Sequence, residues 1–451
     1  MKALIFLALG SVLGCAHAAE SPFVLKPEWA GPCAKAAIVD VNLGHTPENF
    51  VKAAYCQCTG KAPEAKQVST WAERLRSDKG LRRIDVVRTI ANEAGVKDLK
   101  LSYSNPWSND PELAPAPPHK GKRQVGAVVM FFFHCPAPPG YNCGMDWANN
   151  HVQGMSEPSA SLAWEGKPGY YEATNPGFWR HELRDAKAAG LDFILPNVYG
   201  PDMQQEGKVA TLVKALAAEK DPVKIGLFDD TWSWGEKWFG PYWQTKPNFN
   251  KPEEAAAKLY EAKWKPFFTA IPKANWQLVN GKPLIYFYAS GKLEPLNRSS
   301  DTFKLMKAMF KKDFGVEPYL AVERAYTQDP RTIQVADAKY TWDPLKYGDD
   351  ADKISRSNVN GVRLAHAMVR WDALGRDKGA AIASFADHLA KGPEQLAVAL
   401  KNTKDADLLV FATWNDLGEG TGVNRAYDYY YLGRWLQPDT FIRMIAAEQA
   451  K

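Results

Sequence analysis

The stretch Phe178-Trp-Arg-His-Glu-Leu-Arg-Asp-Ala-Lys-Ala-Ala-Gly190-Leu-Asp-Phe-Ile-Leu-Pro-Asn-Val198 changes period part-way along. Phe178, Leu183 and Ala186 repeat at helical spacing as far as a stop at Gly190, and Phe193 to Val198 then runs as a short apolar segment. A helix that ends on glycine and leads straight into a buried run is the unit from which parallel α/β sheets are built. Seven further apolar runs lie around it: Val125–Phe133, Lys224–Phe228, Pro283–Tyr288, Tyr319–Val322, Ala338–Tyr340, Ala367–Val369 and Leu408–Ala412. Glu253 to Ile271 supplies a long amphipathic helix between two of them. Eight runs separated by helices predict an α/β fold of the (β/α)8 TIM-barrel type over residues 124–451; an open α/β sheet is the alternative.

The 451 residues are 45% hydrophobic and 24% charged, so a sizeable core is available and the chain is not disordered as a whole. A net charge of +5, from 56 basic and 51 acidic residues with no polybasic run, gives no footprint for nucleic acid or an anionic membrane. Sixteen Trp and 18 Tyr against 8 His favour aromatic platforms over a His-rich metal centre, and neither a metal nor a cofactor is expected.

Lys2, the apolar run Ala3 to Leu13 and Ala16-His17-Ala18 form the three parts of a secretory signal, with cleavage after Ala18. The run is too short to span a bilayer core of roughly 30 Å, and no later segment is longer, so a periplasmic or secreted protein without a transmembrane segment is expected. Acylation of Cys15 within Val12-Leu-Gly-Cys15 is an alternative, with Leu13 a poor fit to that motif. In a compartment that permits disulfides, Cys135 and Cys143 form the expected bridge across Pro-Ala-Pro-Pro-Gly-Tyr-Asn, and Cys33 pairs with Cys56 or Cys58. The one-residue spacer of Cys56-Gln-Cys58 does not fit a metal or redox motif.

Between Thr46 and Gly95 the pattern is of three short helices, opened by Thr46-Pro47 and lined by Phe50, Val51 and Ala54, then Val68, Trp71, Ala72 and Leu75, then Val86, Val87 and Ile90. Residues 19–103 read as a small helical domain that docks a protein partner or stabilises the chain, and the Pro-rich stretch 104–123 reads as a linker. The helical stretch resembles a short domain of unknown function found in secreted bacterial proteins, often beside polysaccharide-associated modules.

In such a barrel the chemistry sits at the carboxyl ends of the strands. His134 follows the first run, Asn197 and Tyr199 flank the end of the second, Asp229 and Asp230 follow the third with Trp232 and Trp234 close by, and Tyr288 ends the fourth. Glu323 and Arg324 follow the fifth, Trp342 and Asp343 the sixth, Trp371 and Asp372 the seventh, and Trp414-Asn415-Asp416 and Glu419 the eighth. Carboxylates among aromatic faces suit sugar chemistry. Glycosidic cleavage needs one carboxyl group protonated and a second ionised, while aromatic rings shield the CH face of a pyranose from water.

The segment Phe411-Ala-Thr-Trp-Asn-Asp-Leu-Gly-Glu-Gly-Thr-Gly422 resembles the Trp-Asn-(Asp or Glu)-x-x-Glu-(Gly or Ser) signature of secreted glycoside hydrolases of families 71 and 99. Asp185-Ala-Lys-Ala-Ala-Gly-Leu-Asp192, Phe228-Asp-Asp-Thr231 and Gly281-Lys-Pro-Leu-Ile-Tyr286 look like corresponding stretches, so the resemblance spans roughly Val125 to Ile442. It implies an exported glycoside hydrolase acting on a polysaccharide, with Glu419 as general acid and Asp416 as base or nucleophile. A non-catalytic carbohydrate-binding or polysaccharide-handling protein on the same barrel is the second reading. A metal-dependent deacetylase is a third, disfavoured because the histidines are scattered and form no His-x-x-x-His pair.

Overall fold

The computed structural model describes residues 21–24, 30–41, 43–44, 46–77, 81, 83–102, 111–117, 121–131, 164–167, 171–200, 207–235, 241–289, 293–342, 354–359, 361–369, 392–416, 421–425, 430–431 and 434–451. The signal segment with Cys15, the Cys135–Cys143 bridge, His134, Asp343, Trp371, Asp372 and Glu419 lie outside the described residues.

Three helices follow the N-terminal signals read from the sequence: α1 (Pro47–Thr59), α2 (Ala65–Ser77) and α3 (Arg83–Glu93). The Thr46 side chain accepts from the Asn49 N–H at 3.2 Å to open α1, and Gly60, at φ 73°, ends it in the left-handed conformation that a residue without Cβ adopts cheaply. Phe50, Val51, Ala54, Val68, Leu75, Val86, Val87 and Ile90 form a hydrophobic cluster of their own. Cys33 is bonded to Cys56, while Cys58 stays a buried thiol whose pKa burial pushes up to about 11. Part of the flanking sequence belongs to the larger body instead. Phe23 and Leu113 are buried in its core, and the Ala116 N–H donates to the Lys187 carbonyl at 3.1 Å.

Among the described residues the main sheet has eleven strands, two of them the short side pieces Lys224–Ile225 and Leu278–Val279 and nine forming its path: β1 (Gln124–Val129), β2 (Phe193–Val198), β3 (Leu227–Asp229), β4 (Lys282–Phe287), β5 (Tyr319–Glu323), β6 (Ala338–Tyr340), β7 (Ile354–Val359), β8 (Val362–Ala367) and β9 (Leu408–Phe411). Their spatial order is β6-β5-β4-β3-β2-β1-β9-β8-β7, with every pair parallel except β7 on β8. The last parallel strand returns to the first, pairing Phe411 with Ala127, which wraps the sheet towards closure. At the remaining gap the Thr341 N–H donates to Ser355 Oγ at 2.9 Å, and the Tyr340 and His366 rings are 5.1 Å apart. The result is a nearly closed, barrel-like sheet.

Two sequence expectations need correction. The seventh strand is Val362–Ala367, so the run read at Ala367–Val369 catches only its end. An antiparallel strand that the eightfold reading lacks, Ile354–Val359, precedes it, with Gly361 at φ 78° in the turn. Ile354-Ser-Arg-Ser-Asn-Val359 has too few apolar residues to register as a run, but alternation and the Asn360-Gly361 dipeptide are hairpin signals.

Helices pack between the strands, including α4 (Pro176–Ala188), α5 (Lys208–Ala218), α6 (Pro252–Leu259), α7 (Lys265–Ala270), α8 (Ser299–Phe314), α9 (Gly392–Asn402) and α10 (Thr440–Gln449). A π turn at Tyr260–Trp264 joins α6 to α7 and directs Tyr260, Lys263 and Trp264 all into the core. Among the described residues, no helix is long and apolar enough to cross a membrane.

Candidate active site

The carboxyl end of β3 is set by Asp229 and Asp230, and the two do different work. Asp229 is fully buried; its carboxylate meets Lys263 Nζ at 2.9 Å and accepts from Trp264 Nε1 at 2.8 Å. Its pKa is raised, because burial outweighs the opposing Lys263 and Trp264 contacts. Asp230 caps the short turn Thr231–Ser233, accepting from the Trp232 N–H at 2.9 Å, and a second oxygen accepts from Asn197 Nδ2 at 3.3 Å. Lys263 Nζ also donates to the Asp230 carbonyl.

Glu323 ends β5 and accepts from the Ala325 N–H at 2.6 Å. Burial raises the pKa of both Asp230 and Glu323, against the pull of the N–H groups that face them. Burial, with the Asp229, Glu323 and Asp230 carboxyls adding to it, holds the buried Tyr326 phenol far above its ordinary range. Half-buried rings border them. Tyr199 stacks on Trp232 with centroids 5.2 Å apart and planes 9° apart, and Tyr288 lies 5.2 Å from Trp342.

The last strand continues into Thr413-Trp414-Asn415-Asp416, through a cis Ala412–Thr413 peptide. Asp416 is 6% exposed, its N–H donating to Thr413 Oγ1 at 2.8 Å and its carbonyl accepting from the Thr421 N–H at 3.1 Å. Asn415 is fully buried and takes the Met130 N–H at 2.6 Å, while its Nδ2 donates to the Met130 carbonyl and the Tyr171 hydroxyl, both at 3.0 Å. Among the described residues, no group of three or more His, Cys, Asp or Glu side chains is placed to share a metal ion.

A family model described as "Domain of unknown function (DUF5010)" matches residues 140–445, more than half of the chain. The chain belongs to that family. Among solved structures, this DUF5010 chain is similar to a "Glycoside hydrolase-like protein" at 14% identity and TM-score 0.50, over 76% of this chain and 98% of that one. It is also similar to a GH99 endo-alpha-mannosidase from Bacteroides thetaiotaomicron at 13% identity and TM-score 0.43, over 72% of this chain and 96% of that one. At these identities the likeness concerns the fold. No curated protein matches the chain.

Within the DUF5010 barrel, the residues expected to touch a sugar separate into two groups. Asn197, Tyr199, Asp230, Trp232, Tyr288, Glu323 and Trp342 gather at the carboxyl ends of β2 to β6. Asp229, Trp234, Trp414 and Asn415 are instead fully buried. Asp229 is held by Lys263, and Trp234 is fully buried with its ring 4.3 Å from that of Trp243. Trp414 and Asn415 close the last strand against the first by packing and hydrogen bonding.

Sequence reasoning missed a buried network behind that closure. The Trp414 indole donates to Glu182, whose other oxygen lies 3.1 Å from His181 Nδ1, and Arg425 pairs with Asp185 at 2.6 and 2.8 Å. Burial pulls the His181 pKa down, but Asp185 and Glu182 outweigh it and the net shift is upward. The signal was present: Phe178, Glu182 and Asp185 share the inward face of α4, where an acid needs a partner.

His366 on β8 was also passed over. It is fully buried among the rings of Tyr286, Tyr340 and Trp342, and the Trp342 main chain approaches it without an ordinary hydrogen bond. Burial pushes its pKa down to about 3. An unfolded chain binds a proton at this imidazole below about pH 6.5 and the folded chain does not, so stability falls as pH drops through that window. Between about pH 7 and pH 4 the stability of His366→Phe relative to wild type should rise by about 3 kcal/mol, read from urea unfolding. A pH-independent difference would show that the imidazole takes up a proton as readily in the folded core as in the unfolded chain.

Proposed function

We propose that this chain is an exported glycoside hydrolase that cleaves a polysaccharide, with Glu419 as general acid and Asp416 as the partnering base or nucleophile. The observation that carries the proposal is the chemistry at the carboxyl ends of the strands. Besides the proposed pair, Asp230 and Glu323, whose carboxyl pKa values burial raises, stand beside half-buried aromatic rings, a setting in which acids take hydroxyls while rings hold a pyranose face. The likeness of fold to a glycoside hydrolase-like protein agrees with it. Residues 1–18 direct export in this reading, the helices α1 to α3 form a docking or stabilising unit, and Trp371 and Asp372 are further substrate contacts.

One observation favours the second reading, a carbohydrate-binding protein without turnover. Trp414 and Asn415 of the last-strand motif are spent on closing the barrel, so half of the motif has a structural use that requires no chemistry. Incubating the mature protein with a panel of purified polysaccharides separates the two. Shortened chains, followed by mass and by the anomeric NMR signal, are the expected result; binding with no product would leave only the second reading.

A further inference from the structure

The ends of β2, β3 and β5 carry a charge and hydrogen-bond imbalance. Lys263 is matched one to one by Asp229, at 2.9 Å with both side chains fully buried. That leaves Asp230, 8% exposed, and Glu323, 5% exposed, held by neutral N–H donors: Trp232 and Asn197 for the first, Ala325 for the second. Lys263, which donates to the Asp230 carbonyl, also attracts the Asp230 carboxylate, and Glu323 is attracted by Arg324 and faced by the Trp342 and Arg324 main chains as well. Asn197, 2% exposed, sends its Nδ2 to Met130 Sδ at 3.0 Å and to Asp230 at 3.3 Å, and its Oδ1 has no partner at all. The Asp230 carboxylate is thus hydrogen-bonded but not matched by a contacting charge, while the neighbouring Asn197 Oδ1 is a buried acceptor without a donor.

We propose that this corner of the cleft is a subsite for a glycosyl unit carrying a free amine, a hexosamine that is not N-acetylated. The inference rests on the sugar-handling reading above and names the class of sugar. A neutral hydroxyl brings one hydrogen and seeks a donor in return, whereas an ammonium brings three hydrogens, no acceptor and a full positive charge. It alone satisfies Asn197 Oδ1 and offsets the Asp230 carboxylate in one step. The stacked Tyr199 and Trp232 rings, with Tyr288 and Trp342, give the apolar ring face a place to lie and add attraction for a nearby cation. A divalent metal is a poorer occupant, since no three ligating side chains converge among the described residues.

The test uses the full-length protein in mildly acidic buffer. Binding of glucosamine, galactosamine and mannosamine is compared by saturation-transfer NMR with that of their N-acetylated forms and of glucose, galactose and mannose. The amines should bind about tenfold more tightly than either other series, and Asp230→Asn and Glu323→Gln should each bring the three series towards parity without moving the melting temperature. Two variants are used so that a folding defect in one does not decide the matter. Neutral hexoses binding as tightly as the amines, or a preference that survives in both variants, overturns the amine subsite and leaves the sugar-handling reading standing. A folded protein that takes none of these sugars overturns both.

Discussion

Asp416→Asn and Glu419→Gln should each lower turnover of the cleaved polysaccharide by about 10²- to 10⁴-fold, the range associated with losing one proton-transferring group. Each amide keeps the size of the side chain and can neither give nor accept the proton that glycosidic cleavage moves. Folding should be spared at Asp416, because its place is fixed by main-chain bonds to the Thr413 hydroxyl and the Thr421 N–H rather than through its carboxylate alone. Turnover on the polysaccharide found by the panel, with melting temperature as the control, is the measurement. Full activity in both variants, together with its loss in Glu323→Gln, would move the acid to the end of β5, where burial already raises the carboxyl pKa.

The parts of this chain that were legible beforehand are those where burial alone sets the residue type. The six residues of β2 are all buried and read as an apolar run interrupted only by Asn197, as expected of a parallel strand covered on both faces. Thr46-Pro47 and Asn175-Pro176 cap α1 and α4, and both helices fall where apolar spacing places them. Ile354–Val359 escaped because its inward positions are serines: Ser355 is buried yet takes a hydrogen bond from Thr341 instead of packing as a hydrophobe. Periodicity that counts only apolar residues cannot register such a strand.

At the site, the residue types were readable but their division of labour was not. Asp229 and Asp230 are neighbours with the same side chain; alternation along a strand sends one towards Lys263 and leaves the other facing Asn197. Which of the two is consumed depends on a residue more than thirty positions away, on the far side of a helix and its π turn. Trp414 posed the same difficulty, since an indole on a strand-end loop reads as a sugar platform until Glu182 is seen beneath it. Long-range partners of this kind leave one local trace, a charged residue on a face that periodicity assigns to the core, as with Lys263 between Tyr260 and Phe267.

That trace leads to the largest stability effect expected in the chain. Lys263→Met keeps the stem that fills the core but removes the ammonium, leaving the Asp229 carboxylate in a fully buried place with only the Trp264 indole to face it. The Asp230 carbonyl loses its Lys263 donor in the same step, which loosens the turn that presents Asp230 and Trp232. Breaking a buried pair from one side costs about 3–5 kcal/mol, whereas removing both charges is far milder, because no uncompensated ion remains. Lys263→Met should therefore lower the free energy of unfolding in urea by about 3–5 kcal/mol, and Lys263→Met combined with Asp229→Asn should recover part of that loss. The sign of the coupling is the decisive quantity. If the double variant is destabilised by the sum of the two single costs, then Asp229 is not ionised opposite Lys263, and the charge accounting that leaves Asp230 as the unmatched carboxylate fails with it.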